Sequence, residues 1–160
     1  WLAATKITSE AFRSCHRQIR RSKLMDDNQK SLVADTARRY LGTPYHHQGR
    51  KLGVGIDCLG LVAMVYTELG LTVNDRTDYS RYPRGQELLE GLSKQLVQVP
   101  VADAETGDIF VMAQKTQENH VLMYIKETDT VIHSYYLKHG VVEQPRTVYE
   151  NLITKAFRHE

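Results

Sequence analysis

Apolar residues recur at three- and four-residue intervals in the front half of the chain, then give way to short β-branched and tyrosine-containing runs. Lys30–Leu41 places Val33, Ala34, Ala37, Tyr40 and Leu41 on one side, which predicts a helix. Thr43-Pro44 ends it, because proline disfavours helix at the residue before it. From Cys58 to Leu69 the apolar positions fall at Leu61, Val62, Val65 and Leu69, a second helix with Gly70 as its stop. A third runs from about Gln86 to Leu92, after the turn Pro83-Arg84-Gly85. Ile109–Met112, His120–Ile125 and Val131–Tyr136 read as successive strands, separated by Gln114–Asn119 and Glu127–Thr130. Val97–Val101 reads as a short extended segment, Val148–Thr154 as a final helical turn and Lys155–Arg158 as an edge strand. A helical front half and a stranded back half imply an α+β fold, an antiparallel sheet with helices packed on one side.

The hydrophobic pattern also places the chemistry. Cys58 follows the loop His46–Gly55 and stands at the first turn of the second helix. Unpaired N–H groups and the positive end of the helix dipole favour thiolate there, so the sequence predicts a thiol titrating below the ordinary value of about 8.5. The alternative is a small buried hydrophobe, the common fate of a free cysteine. His120 and His133 lie thirteen positions apart on neighbouring strands, where a hairpin sets them side by side. A thiol needs a base, and an imidazole base needs a partner that fixes its tautomer and direction. Cys58, His120 and His133 are therefore the candidate catalytic residues, with Asp57 and Tyr45 as candidate substrate or oxyanion contacts. Asp57 serves equally as a helix cap, and Tyr45 as a core aromatic.

Composition narrows the classes. With 160 residues the chain suits one domain with a core of its own, and 41% hydrophobic and 25% charged residues are ordinary for a globular protein. A net charge of +2 does not argue for nucleic acid as a partner. Cys15 and Cys58 are the two cysteines, so no disulfide framework is expected. No apolar run reaches the length of a membrane span, and residues 1–5 are too short for a signal-peptide core. Residues 1–28 hold six Lys or Arg against three acids, a basic extension read as a solvated appendage or as an electrostatic arm; residues 29–160 form the expected domain. Cys15-His16 lacks further close ligands. Zinc on Cys58, His120 and His133 would lack a fourth group, so no metal and no cofactor are expected. Gly49, Gly53 and Gly55 are not a phosphate loop, having neither a preceding strand nor a Gly-Lys-Ser/Thr ending.

Five segments in order resemble the NlpC family of papain-like cell-wall cysteine peptidases. They are Ala37–Tyr45 with its Gly42-Thr43-Pro44-Tyr45 end, Gly55-Ile56-Asp57-Cys58, Thr106–Phe110, Asn119–Tyr124 and Val131–Ser134, covering roughly residues 30–160. The resemblance implies a papain-like fold with the nucleophile at a helix N-terminus and hydrolysis of peptidoglycan stem peptides at the D-glutamyl–diamino acid bond. Leu59 stands where the family most often has Ser. In family members that Ser and the preceding Asp help hold the free end of the stem peptide. The Leu59-Gly60-Leu61-Val62 continuation is more like members carried by tailed phages, which implies delivery by a phage particle or lysis and other tail components as partners. The competing class is a tail assembly or docking module that keeps the fold without catalysis.

Overall fold

The computed structural model describes residues 25, 27–80, 85–114 and 117–160. Of the basic extension expected over residues 1–28, residues 1–24 and 26 lie outside the described residues. Helix α1 (Asp27–Arg39) carries Asp27 in its first turn and Arg38 and Arg39 in its last, the arrangement the helix dipole favours. It therefore takes in Asp27 and Asn28, which the sequence assigns to the extension, and Met25 packs against the core just before it. Two short strands, β1 (Arg50–Lys51) and β2 (Gly55–Ile56), pair antiparallel in the loop before the cysteine. Helix α2 (Cys58–Glu68) buries Leu61, Val62, Ala63, Val65 and Tyr66. Gly70, at φ +71°, ends it: its N–H bonds the Thr67 carbonyl while that of Leu71 bonds Tyr66. Helix α3 (Gly85–Ser93) follows the 72–80 segment.

The second half is one six-stranded antiparallel sheet, built from β3 (Val97–Val99), β4 (Ile109–Gln114), β5 (Gln117–Ile125), β6 (Thr130–Tyr135), β7 (Gly140–Pro145) and β8 (Ile153–Arg158). Their order is β3-β8-β4-β5-β6-β7. The α+β arrangement expected from the sequence is the one observed. Three local expectations differ. Lys155–Arg158 is no edge strand: β8 lies between β3 and β4, because Val97–Val99 from earlier in the chain pairs along its outer side. The last helical turn shrinks to a 3₁₀ turn at Arg146–Val148, after which the chain enters β8. β5 starts three residues before His120, which stands inside the strand rather than opening it.

Alternation along the strands divides the core. Val111, Val121, Met123, Ile132 and Phe157 meet the helices, whereas Phe110, Leu122, Tyr124, Val131 and Ala156 form a second cluster with Tyr149 and Ala104. His120 and His133 share the parity of this second set. Asp108, almost wholly buried, receives a two-pronged bond from Arg158 and caps the Glu105 N–H at 2.8 Å, tying the start of β4 to the end of β8. No helix among the described residues is long and apolar enough to cross a membrane.

Candidate active site

Three separate pieces of chain converge at the head of α2. The 42–45 segment is stapled to β7 and β2: Gly42 N–H bonds Val141, Tyr45 N–H bonds His139, and the Ile56 N–H bonds Pro44. Ser134 on β6 donates to the Ile56 carbonyl at 2.7 Å, so β2 is pinned to the sheet immediately before the cysteine. Gly60 allows the loop to approach the helix, since a Cβ there would stand 2.3 Å from the Gly49 carbonyl oxygen. Cys58, Tyr45, Asp57 and His120 then line one cleft, together with Asn119, Tyr79 and Tyr135. His133 does not reach the cleft; it is wholly buried behind His120.

The two histidines sit diagonally on the β5–β6 hairpin, on one face, because Met123 pairs with Ile132 and Ile125 with Thr130. His120 Nε2 lies 2.7 Å from His133 Nδ1, with the rings nearly perpendicular. That contact occupies Nε2 and makes Nδ1 the nitrogen of His120 that can serve a reaction. Tyr135 packs on the His120 ring at 4.9 Å between centroids and is itself held by the Gln114 amide. Burial and the neighbouring His133 hold His120 well below the usual imidazole range, and burial brings His133 down to about 4. Both are therefore neutral at pH 7.

The thiol departs from the sequence expectation. Burial, reinforced by the adjacent Asp57 carboxylate, pushes Cys58 up to about 12, against the backbone N–H groups of Val121, Leu59 and Cys58 that favour thiolate. Desolvation outweighs the helix-end donors, so the thiol and the His120 imidazole that line the cleft are both neutral at rest.

Asp57 is the N-cap of α2, accepting the Gly60 N–H at 2.8 Å. Its other partners were not legible in the sequence. The Gln48 N–H donates at 2.6 Å, the Tyr79 hydroxyl at 2.7 Å and Arg50 at 3.2 Å. Arg50 also grips Asp75 and the Tyr79 hydroxyl. The cap alternative thus describes what Asp57 does here, and its charge is answered within the chain. Tyr45 is half-buried in the cleft wall, edge-on to Tyr136 at 6.3 Å. Nothing in the spacing of Arg50, Asp57 and Tyr79 signals the cluster, since Tyr79 sits in a polar stretch without periodicity. Among the described residues no three His, Cys, Asp or Glu side chains are grouped to hold a metal ion.

An NlpC/P60 family protein from Bacillus cereus is 26% identical and superposes with a TM-score of 0.63 over 81% of this chain and 40% of that one. The peptidoglycan hydrolase RipB of Mycobacterium tuberculosis is 21% identical, with a TM-score of 0.60 over 82% of this chain and 65% of that one. RipD of the same organism, described as a non-catalytic NlpC/p60 domain protein adapted to peptidoglycan binding, is 19% identical, with a TM-score of 0.55 over 81% and 95%. The chain thus spans less than two thirds of the Bacillus cereus and RipB chains. No curated protein sequence matches significantly. The model of the NlpC/P60 family matches residues 42–159, from the Gly-Thr-Pro-Tyr segment through the last strand, and the chain belongs to that family.

Proposed function

We propose that the protein is a cysteine peptidase that hydrolyses the peptide stems of bacterial peptidoglycan, at the bond between D-glutamate and the diamino acid. Family membership and the resemblance to RipB support a cell-wall peptidase. The observation that carries the catalytic reading is the 2.7 Å contact of His120 with a wholly buried His133, at the edge of the cleft that Cys58 enters. A core histidine pair with no chemical task would be a costly way to fill that space, since each ring must be desolvated.

In this mechanism the Cys58 proton passes to His120 Nδ1 as sulfur attacks the stem-peptide carbonyl carbon. Transfer to an already neutral imidazole suits a resting thiol, because charge separates only as the carbon–sulfur bond forms. His133 accepts the Nε2–H bond of His120 and steadies the imidazolium. The oxyanion is met by the backbone N–H of Cys58 and the Tyr45 hydroxyl. Collapse breaks the C–N bond, and His120 returns its proton to the leaving amine. Water, deprotonated by His120, then cleaves the thioester and restores the thiol. Asp57 supports α2 and its loop rather than holding an amine of the substrate, because Arg50, Tyr79, Gln48 and Gly60 already engage its oxygens. A phage-tail setting is not among the descriptions of these relatives, and the reading does not require it.

Mass spectrometry of purified muropeptides after incubation tests both activity and bond. Cleavage between D-glutamate and the diamino acid, abolished by Cys58→Ala in a folded protein, is the expected result. Binding to peptidoglycan without cleavage would instead place the chain with RipD.

A further inference from the structure

For His120 Nδ1 to take a proton, its neutral ring must carry hydrogen on Nε2. That hydrogen points at His133 Nδ1, 2.7 Å away, which must then be the acceptor. A neutral imidazole has one N–H, so the hydrogen of His133 must sit on Nε2. Nε2 of His133 is fully buried and makes no hydrogen bond in the resting geometry. An unsatisfied buried N–H is costly, and the pair escapes by exchanging tautomers: His133 would donate from Nδ1, and His120 would move its hydrogen to Nδ1 and lose its basic nitrogen. Whatever stands beside His133 Nε2 therefore decides whether His120 is a base.

The polar side chain on the β7 side that shares the face of His133 is Gln144. On β7, Val142 pairs with His133 and Gln144 with Val131, which puts Gln144 on the face of His133, one diagonal step away. Tyr149 connects the two: its ring packs edge-on to His133 at 5.1 Å between centroids, and its hydroxyl donates to Gln144 Oε1 at 2.5 Å. Accepting from that hydroxyl leaves Oε1 a second lone pair. Gln144 also acts on His133 as an acceptor would, favouring its protonation against the larger opposing effect of burial.

We propose that Gln144, held by Tyr149, is a positioning residue that fixes His133 as the Nε2–H tautomer and so keeps Nδ1 of His120 available to the Cys58 thiol. The proposal rests on the reading of His133 as the partner that orients His120.

The test uses the full chain with ¹⁵N-labelled histidine, reading tautomers by long-range ¹H–¹⁵N NMR and turnover on purified muropeptides. Wild type should show His133 as Nε2–H. Gln144→Met, which keeps the shape and removes the acceptor, should shift His133 toward Nδ1–H. It should also lower kcat about 10- to 100-fold, the range expected when a buried donor loses its acceptor, with KM within about twofold. Gln144→Glu restores an acceptor and should recover both the tautomer and most of kcat, whereas Tyr149→Phe should give a smaller loss. A Gln144→Met protein that keeps the Nε2–H tautomer and wild-type kcat overturns the proposal. So does an equal loss in Gln144→Met and Gln144→Glu that tracks a fall in Tm. The peptidase reading fails separately, if wild type and Cys58→Ala are equally inert; the tautomer spectra still decide the role of Gln144 in that case.

Discussion

At the scale of single residues, the electrostatics of the cleft set the pH behaviour. His120 is held well below its ordinary range and Cys58 is raised to about 12, so the neutral pair is present across a wide span of pH. The proposed mechanism requires His120 unprotonated. As pH rises through its depressed pKa the rate should climb, with the acid limb of kcat/KM below about 6.5, the ordinary histidine value. Alkylation of Cys58 by iodoacetamide should likewise show no thiolate plateau at neutral pH. An acid limb above that value, or a thiol titrating well under 8.5, would mean the helix-end donors outweigh burial. The third residue should be graded by its acceptor capacity. His133→Asn keeps an acceptor and should retain measurable turnover, whereas His133→Ala should fall further. Adding His133→Ala to His120→Ala should cost little more, because triad members act as a unit. Wild-type kinetics in His133→Ala would make it a packing residue.

At the scale of elements, α2 carries the thiol and its first turn is set by two residues with different tasks. Gly60 lets the 46–50 loop lie against the helix, and an added Cβ would meet the Gly49 carbonyl and the Arg50 guanidinium. Gly60→Ala gains helix propensity yet should destabilise by about 1–3 kcal/mol in urea unfolding, the usual cost of overpacking. Asp57 caps the helix and also sets a negative charge beside the thiol. Asp57→Asn preserves an acceptor for the Gly60 N–H while removing that charge. Its Cys58 should titrate lower than in the parent, because less repulsion opposes thiolate. Asp57→Ala should lose the cap as well, about 1 kcal/mol beyond the asparagine variant. An unchanged thiol pKa in Asp57→Asn would show that the carboxylate does not reach the sulfur.

Over the whole molecule, two buried polar features govern stability. Arg158 at the last strand answers Asp108 at the first turn of β4, closing the sheet around β8. Arg158→Ala strands a buried carboxylate and should cost about 3–5 kcal/mol, whereas Arg158→Ala with Asp108→Ala should recover much of it. The second feature is acid sensitivity. His133 has a folded pKa of about 4 against an ordinary 6.5, so between these values the unfolded chain binds more protons. Its contribution is complete above about 6.5 and is lost as pH falls toward 4, on the order of 3 kcal/mol. His133→Asn should flatten the pH dependence of Tm over that window; an unchanged slope would assign it to other groups.

Helix α2, the β5–β6 hairpin and the candidate thiol and imidazoles were legible in the chain because each rests on local spacing. The period of Leu61, Val62, Val65 and Leu69, the stop at Gly70, and two β-branched runs joined by a short turn are all properties of neighbours in sequence. The place of β8 was not, since an edge strand and a central strand differ only in what lies across from them, and Val97–Val99 comes from far earlier in the chain. The same limit hid the partners of Asp57 and the approach of Gln144 and Tyr149 to His133, which depend on register between strands and on loops meeting at distance. The thiol shows the division most plainly. Sequence alone places Cys58 at a helix start, where donors favour the anion; only the tertiary structure decides how much water remains around it. Burial acts on the whole charge, while the helix end supplies partial ones, and so the packed molecule keeps the Cys58 thiol protonated at rest.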